Sequence, residues 1–267
     1  MAAFMQSVSA DANPLAGRHV LVVAAHPDDE VIGAGASLAD ARQVTLVHIT
    51  DGAENFFNAL LKGHLTRNGY ARARRKELER AFGMLPRQAE FIELGYRDIE
   101  ASFHITEIAR SLHQLFLDKK PELIVTHAFE GGHPDHDAIA MSVQLALRRT
   151  NLWDSLYEMA GYHRAGGEKR YGEFIPRDSV KITRVRLTPE ARSRKKAMLN
   201  AFRSQKHIVS RFPLENENFR NAPCYDFVKP PHDGPLFYEQ HKNWLTWREW
   251  KTLAEKALRE FEPASLP

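Results

Sequence analysis

Two continuous apolar runs, His19-Val20-Leu21-Val22-Val23-Ala24-Ala25 and Pro121-Glu122-Leu123-Ile124-Val125-Thr126-His127, each end abruptly in a loop crowded with acids and imidazoles. A continuous rather than alternating apolar run is the pattern of a strand covered on both faces, and so of a sheet enclosed between helices. The first loop reads His26-Pro27-Asp28-Asp29-Glu30, and the second Glu130-Gly131-Gly132-His133-Pro134-Asp135-His136-Asp137. In open parallel sheets ligands bind outside the carboxyl ends of the strands, so the two loops are expected to meet in space.

The intervening sequence alternates between the same two kinds of element. Ile32 to Arg42 is Ala-rich and short, a helix packed closely on the sheet, and Val44 to Thr50 is a second strand closed by Asp51-Gly52. Thr66 to Met84 is strongly helical and stopped by Pro86, Phe91 to Leu94 is a short strand, and Ile105 to Leu117 is an amphipathic helix. Ala138 to Arg149 reads as helix, Ser155 to His163 and Val180 to Leu187 as strands, and Pro189 to Gln205 as a helix capped by Thr188. The expected fold is α/β: a Rossmann-like, doubly wound, mostly parallel sheet with helices on both faces. Residues 1–17 read as a loose leader, and 18–267 as a single domain. Within it, 211–267 is a C-terminal loop and helix and a candidate substrate wall. Residues 211–235 carry five prolines and no period, which predicts a long loop. Trp244, Trp247 and Trp250, at threefold spacing, mark a last amphipathic helix with the tryptophans facing the core rather than a sugar.

Composition narrows the function. The formal charge of +3 is small and dispersed, so no nucleic-acid partner is expected. In Arg72, Arg74, Arg75 and Lys76, followed by Glu77 and Glu79, the spacing predicts a solvated helix face. A single cysteine, Cys224, forms no internal disulfide and fits a reducing cytoplasm. No stretch approaches the roughly 18 apolar residues of a membrane span, and the first twenty residues lack a basic start followed by an apolar run. A soluble, unexported, cytoplasmic protein is therefore expected.

The two loops together hold the parts of a mononuclear metal site. Zinc takes imidazole nitrogen and carboxylate oxygen, and a catalytic zinc uses three protein ligands with one position left for water. A further carboxylate nearby can take the proton of that water as it attacks a carbonyl. His26, Asp28, Asp29, His133, Asp135 and His136 are the six candidates for these roles. Pro27 and Pro134 restrict the residue before each of them and stiffen the loops. Either loop alone could be a turn stabilised by its aspartates. Both together, buried without a metal, would cost several kcal/mol unless each charge were paired.

Ala25-His26-Pro27-Asp28-Asp29-Glu30 after a buried strand, with Gly132-His133-Pro134-Asp135-His136 about a hundred residues later, resembles the LmbE-like or PIG-L family of zinc-dependent N-acetylglucosaminyl deacetylases. Thr50-Asp51-Gly52, Arg74-x-x-Glu77 with Ala81, Leu94-Gly95 followed by Asp98, and Lys196-x8-Gln205 extend the resemblance over about residues 18–205. It implies zinc, or another divalent transition metal, on His26, Asp29 and His136. It implies Asp28 as general base, His133 as the group that stabilises the oxyanion and protonates the leaving amine, and Asp135 as the carboxylate that orients His133. Arg74 and Asp98 match positions that hold sugar hydroxyls in the family. Read as residues alone, Arg74 is equally a solvated helix charge, and Asp98 a partner for Arg97 or a turn cap. Some family members carry a tyrosine where this chain has Gly131, preceded by Glu130. The glycine pair is expected to admit a larger sugar, and Glu130 to bind a hydroxyl or amine.

The resemblance implies hydrolysis of an N-acetyl group from an N-acetylglucosamine-type amino sugar or small glycoconjugate. A zinc amidase acting on a thiol-sugar or antibiotic-like glycoside would use the same residues. A catalytically silent sugar- or metal-binding protein would have no use for Asp28 beside three ligands, and a phosphoesterase would want a Gly-rich phosphate loop that is not present.

Overall fold

The computed structural model describes residues 12–53, 63, 66–148, 150–178, 180–242 and 244–261. β1 (His19–Ala24), β2 (Gln43–Thr50), β3 (Glu90–Tyr96), β4 (Leu123–His127) and β5 (Leu156–Met159) form a parallel sheet in the order β3-β2-β1-β4-β5. The chain leaves β1 towards β2 on one side and later returns to β4 on the other, so the strand order reverses between β1 and β4. The crevice that such a reversal opens lies at the carboxyl ends of these two strands.

α1 (Asp29–Ala34), α2 (Arg67–Phe82), α3 (Ile105–Lys119) and α4 (Pro134–Leu147) make the crossovers. Alternate residues of β1 feed two cores. Leu21 and Val23 pack with α3 and α4, and Val20 and Val22 with α1, α2 and α5 (Pro189–Ala201). Both faces of the sheet are covered, as the apolar runs predict, and the fold is the expected mostly parallel α/β sheet. α1 is shorter and begins earlier than the Ile32–Arg42 expectation, with a separate 3-10 turn at Ser37–Asp40. It sits so close to β5 that a Cβ on Gly33 would come within 2.5 Å of Met159 Sδ, so the glycine sets how near helix and sheet can approach.

The second half departs further from expectation. The Ser155–His163 strand divides at Ala160-Gly161: β5 stays in the main sheet, while β6 (Tyr162–His163) pairs with β7 (Arg170–Tyr171) in a separate hairpin. β8 (Ile182–Arg186) lies at the sheet's edge. Residues 211–235, expected as loop throughout, contain β9 (Asn216–Asn221), which lies antiparallel between β5 and β8. α6 (Lys206–Val209) follows α5 across a short turn, and α7 (Trp247–Phe261) closes the described chain. The leader expectation concerns 1–17, of which 1–11 lie outside the described residues. Among residues 12–17, Leu15 is fully buried and Asn13 Nδ2 donates to Ser37 O and Asp40 Oδ2, each at 2.9 Å, while Ala12, Ala16 and Gly17 are exposed. No helix among the described residues is long and apolar enough to cross a membrane.

β9 escapes a hydropathy reading because two of its three buried residues, Glu217 and Arg220, are charged, with Phe219 the third. Glu217 accepts hydrogen bonds from Ala36 N and Ser37 N, each at 2.8 Å, and meets Lys195 Nζ at 2.9 Å. Arg220 Nε donates to Glu158 at 2.7 Å and its Nη2 to Glu130 at 3.0 Å. All five side chains are buried. A buried charge is tolerable only when paired and hydrogen-bonded, and these pairs are what tie β9 to the helices and to β5.

Glu130 therefore has a partner other than a sugar: its Oε1 accepts from Arg220 and from Ile175 N at 2.8 Å. Burial pushes its carboxyl up to about 7 against the pull of Arg220, with Glu158 adding to the rise. The folded value lies above the ordinary 4.5, so the stability linked to this proton is full below 4.5 and is lost as pH rises through about 7. Glu130→Gln keeps the acceptor and removes the titration. Its melting temperature relative to the wild type should rise between pH 5 and pH 8; a constant difference would contradict this assignment.

Candidate active site

The strand reversal brings the two loops together, and backbone bonds fix their bases. Thr50 N and Thr50 Oγ1 both donate to Ala25 O, at 3.0 and 2.9 Å, and Ala25 N donates to His127 Nε2 at 2.9 Å. Beyond Ala25, His26 N donates to Asp29 Oδ2 at 2.9 Å, which closes the loop into α1. In the other loop His133 caps α4. Its backbone is extended, Pro134 occupies the first turn, and its Nδ1 accepts from Asp135 N at 3.1 Å.

Asp29 lies between two imidazoles. Its Oδ2 is 3.1 Å from His26 Nδ1 and its Oδ1 is 3.3 Å from His136 Nε2. Around them, the donor atoms of three overlapping groups, His26–His133–His136, Asp29–His127–His136 and His26–Asp98–Asp135, each lie within 4.8 Å of one another, a chemistry of imidazoles and carboxylates that suits a divalent ion. Burial opposes ionisation of Asp29, but the charges of His136 and His127 and its hydrogen bonds to His136 and His26 hold its carboxyl well below the usual range. His26 Nε2 lies 2.9 Å from Asp98 Oδ1 and 3.2 Å from Asp135 Oδ2, the carboxylate backing that metal-bound histidines characteristically have. His127 lies within reach of Asp29 at 3.6 Å and stacks on His136 with centroids 3.9 Å apart. Its Nε2 lone pair is already engaged by Ala25 N, however, which leaves it as a buttress for His136.

Asp28 is in the same pocket but faces another way. Its φ of 144° is a conformation that a residue with a Cβ rarely adopts, at a cost of about 1–3 kcal/mol. The strain is held by its surroundings: Asp28 O accepts from Val31 N and Ile32 N, Asp28 N donates to Glu30, and Arg74 Nη2 donates to Pro27 O at 2.6 Å and Asp28 Oδ2 at 3.3 Å. Burial raises the Asp28 carboxyl, Arg74 opposes the rise, and the result is about 7. That suits a group that takes a proton near neutral pH.

The structure places each expected residue. His26, Asp28, Asp29, Arg74, Asp98, His133 and His136 line one pocket of about 110 Å³. Arg74 is buried at 2% exposure, not part of a solvated face. Gly52, at φ 59°, makes room for it, since a Cβ there would lie 2.9 Å from Arg74 Nη2. Asp98 faces His26, while Arg97 approaches Glu100 at 4.0 Å. The Asp135 carboxylate turns to His26, Ile99 N and Ala101 N rather than to His133, which it meets only through its backbone N–H. Glu130 does not line the pocket. The glycine pair opens nothing to a sugar, because a Cβ on Gly131 would lie 2.7 Å from Leu236 and one on Gly132 2.1 Å from Tyr162 O. Burial and the charges of His26 and His136 hold His133 well below its ordinary value. With Nδ1 accepting, the neutral ring carries its proton on Nε2.

Tyr162, Gln205, Ile208 and Trp244 also wall the pocket, beyond the residues expected from sequence. Of these only Gln205 carried a signal, through the Lys196-x8-Gln205 marker. It bonds Tyr70 Oη, and the neighbouring Ser204 bonds Glu77. Trp250 is core as expected, against Phe129, but Trp244 precedes the helix and stacks edge-on against His133 at 4.4 Å.

Residues 21–147 match the PIG-L family model, GlcNAc-PI de-N-acetylase. The chain is 32% identical over 174 residues to a 1D-myo-inositol 2-acetamido-2-deoxy-alpha-D-glucopyranoside deacetylase of Catenulispora acidiphila, a match covering 53% of this chain and 50% of that protein. It is 34% identical over 137 residues to a probable N-acetyl-alpha-D-glucosaminyl L-malate deacetylase of Bacillus anthracis, covering 49% and 59%. The matches thus span about half the length of these relatives. Among solved structures, the A40926 pseudoaglycone deacetylase superposes with a TM-score of 0.59 at 19% identity, covering 78% of this chain and 99% of that one. The N,N'-diacetylchitobiose deacetylase of Pyrococcus horikoshii superposes with a TM-score of 0.57 at 20% identity, covering 78% and 85%. At such identities the superpositions establish a shared fold. The sheet, the two loops on its switch point and the family match together identify residues 21–147 as a PIG-L family domain.

Proposed function

We propose that this protein is a divalent-metal hydrolase that removes the acetyl group from an N-acetylglucosamine-type amino sugar or a small glycoconjugate of one, releasing acetate and free amine. One observation carries the reading. Asp29, with His26 at one carboxylate oxygen and His136 at the other, shares a buried pocket with a further carboxylate, Asp28, and a further imidazole, His133, amid overlapping donor groups His26–His133–His136 and Asp29–His127–His136. The deacetylase names of the relatives support it. Two imidazoles and a carboxylate suit zinc, and other divalent transition ions share the preference. When bound, the ion supplies Lewis-acid polarisation of the amide carbonyl and makes water a stronger acid. The lone cysteine, exposed and unpaired, supports a reducing cytoplasm as the setting.

The chain's own residues do the rest. Asp28, held by Arg74, takes a proton from the attacking water. His133, with Nδ1 engaged by Asp135 N, presents Nε2–H to the oxygen on which negative charge develops. A neutral ring in that tautomer has no spare proton for the leaving nitrogen, so the proton taken by Asp28 is the one the amine receives. This differs from the role the family resemblance implies for His133. Asp98 and Asp135 fix the His26 ring, and Arg74 and Asp98 border the space where sugar hydroxyls would lie.

Asp28→Asn should retain metal at wild-type stoichiometry and lower kcat by about 100- to 10,000-fold; His136→Ala should lose the metal itself. Metal content by mass spectrometry beside amine release separates the two, and full activity in both variants would overturn the assignment. Arg74→Met should shift the acid limb of kcat/KM. The base works only when ionised, activity falls as pH drops through its pKa, and removing the cation raises that pKa. The limb should therefore move to higher pH; an unmoved limb would separate Arg74 from the ionisation of Asp28.

A further inference from the structure

We infer that a second cavity, across α6 from the metal pocket, binds an amphipathic carboxylate: an aliphatic chain that ends in one anionic head. Its volume of about 610 Å³ falls inside the roughly 300–1,000 Å³ of ordinary small-molecule sites. It shares no lining residue with the metal pocket. Gln205 and Ile208 line the metal pocket, while Phe202, Lys206 and Val209, from the same short stretch of chain, line the second cavity. That stretch is a wall between the two spaces, and it is pinned to α2 by the bonds of Ser204 with Glu77 and of Gln205 with Tyr70. A ligand held there touches none of the groups on which the deacetylase reading depends.

The floor and the rim of this cavity differ in character. Leu199 and Phe202 meet Val209, Phe212 and Leu214 in a continuous apolar floor that belongs to one of the two cores. Phe212 and Leu214 come from the segment expected as a substrate wall, yet no residue of 211–235 lines the metal pocket among the described residues. Lys196, Arg203 and Lys206, all exposed, form a cationic rim. None of the three has a carboxylate partner, and no carboxylate lines the cavity, among the described residues. Lys195, next to Lys196 in sequence, is by contrast buried and paired with Glu217. The uncompensated charge extends beyond the rim: residues 181–211 hold ten lysines and arginines against one carboxylate, Glu190, in a chain whose formal charge is only +3. An apolar floor takes an aliphatic tail through the area removed from water, and the cations take an anionic head through charge-assisted hydrogen bonds. No glycine lines the cavity among the described residues, so it lacks the backbone cradle that phosphate sites use. A singly charged carboxylate is the head that three side-chain cations suit.

Calorimetric titration of the full chain with hexanoate, octanoate and decanoate, below micelle formation, tests this. Affinity should rise roughly two- to fourfold with each methylene buried, and raising salt should weaken every carboxylate. Octanol, with the same tail length and no charge, should bind about tenfold more weakly than octanoate. Arg203→Glu/Lys206→Glu should lower the octanoate affinity about tenfold or more. Asn200→Trp, which fills the cavity from an exposed position, should abolish binding, whereas Lys251→Glu, on the exposed face of α7, should leave it unchanged. Binding should be the same with metal loaded or stripped and in the presence of N-acetylglucosamine. Octanol binding as tightly as octanoate, octanoate binding that both cavity variants leave intact, or no binding of decanoate would each overturn the inference. Binding lost in His136→Ala but kept in Arg203→Glu/Lys206→Glu would put the carboxylate at the metal pocket and overturn it too. Amine release is not read in any of these titrations, so the deacetylase reading stands or falls separately.

Discussion

Parallel pairing of β1 with β4, register Val20 to Leu123 through Val22 to Val125, is what the rest of the arrangement depends on. It sets two loops about a hundred residues apart in sequence at one edge, and it places them where the crossovers diverge. Continuous apolar strands make that pairing stable because both faces of the sheet are buried. The chemistry then follows from the stiffness of the loops. Pro27 and Pro134, the His133 cap on α4 and the bond between Ala25 N and His127 leave the imidazoles few alternatives.

A crowded pocket of ionisable groups is costly in a folded protein unless charges compensate one another. Here Asp29 lies between imidazoles, His26 between carboxylates, and Asp28 against Arg74. The residual strain at Asp28 is located where its carboxylate turns to Arg74 while that of Asp29, next to it in sequence, turns to the imidazoles. The same compensation appears away from the site, where Arg220 binds Glu130 and Glu158 and Lys195 binds Glu217. The distinction between the clusters is access: the first opens onto a cleft, and the others join elements of the fold.

The parallel half of the fold was legible because its strands are unbroken runs of apolar residues, a pattern with one simple structural meaning. β9 was not, because Asn216–Asn221 contains buried Glu217 and Arg220, and hydropathy cannot distinguish a paired buried charge from a solvated one. Arg74 was obscured by the same ambiguity, as one of several basic residues on a helix. The His-Pro-Asp loops showed which residues would meet. They did not show which atoms would face each other, so the Asp135 carboxylate was assigned to His133 when it meets His26. Trp244 was invisible as a site residue because its neighbours in sequence belong to a core-facing helix, and only the packing of the C-terminal segment against His133 reveals it.

The most direct test of the account is anomalous diffraction at the zinc absorption edge from crystals of the protein soaked with a stoichiometric amount of zinc. The account predicts one strong peak bonded to His26, Asp29 and His136, with Asp28 and His133 outside the coordination sphere. A peak held by another donor set, or none in the crevice between β1 and β4, would contradict it.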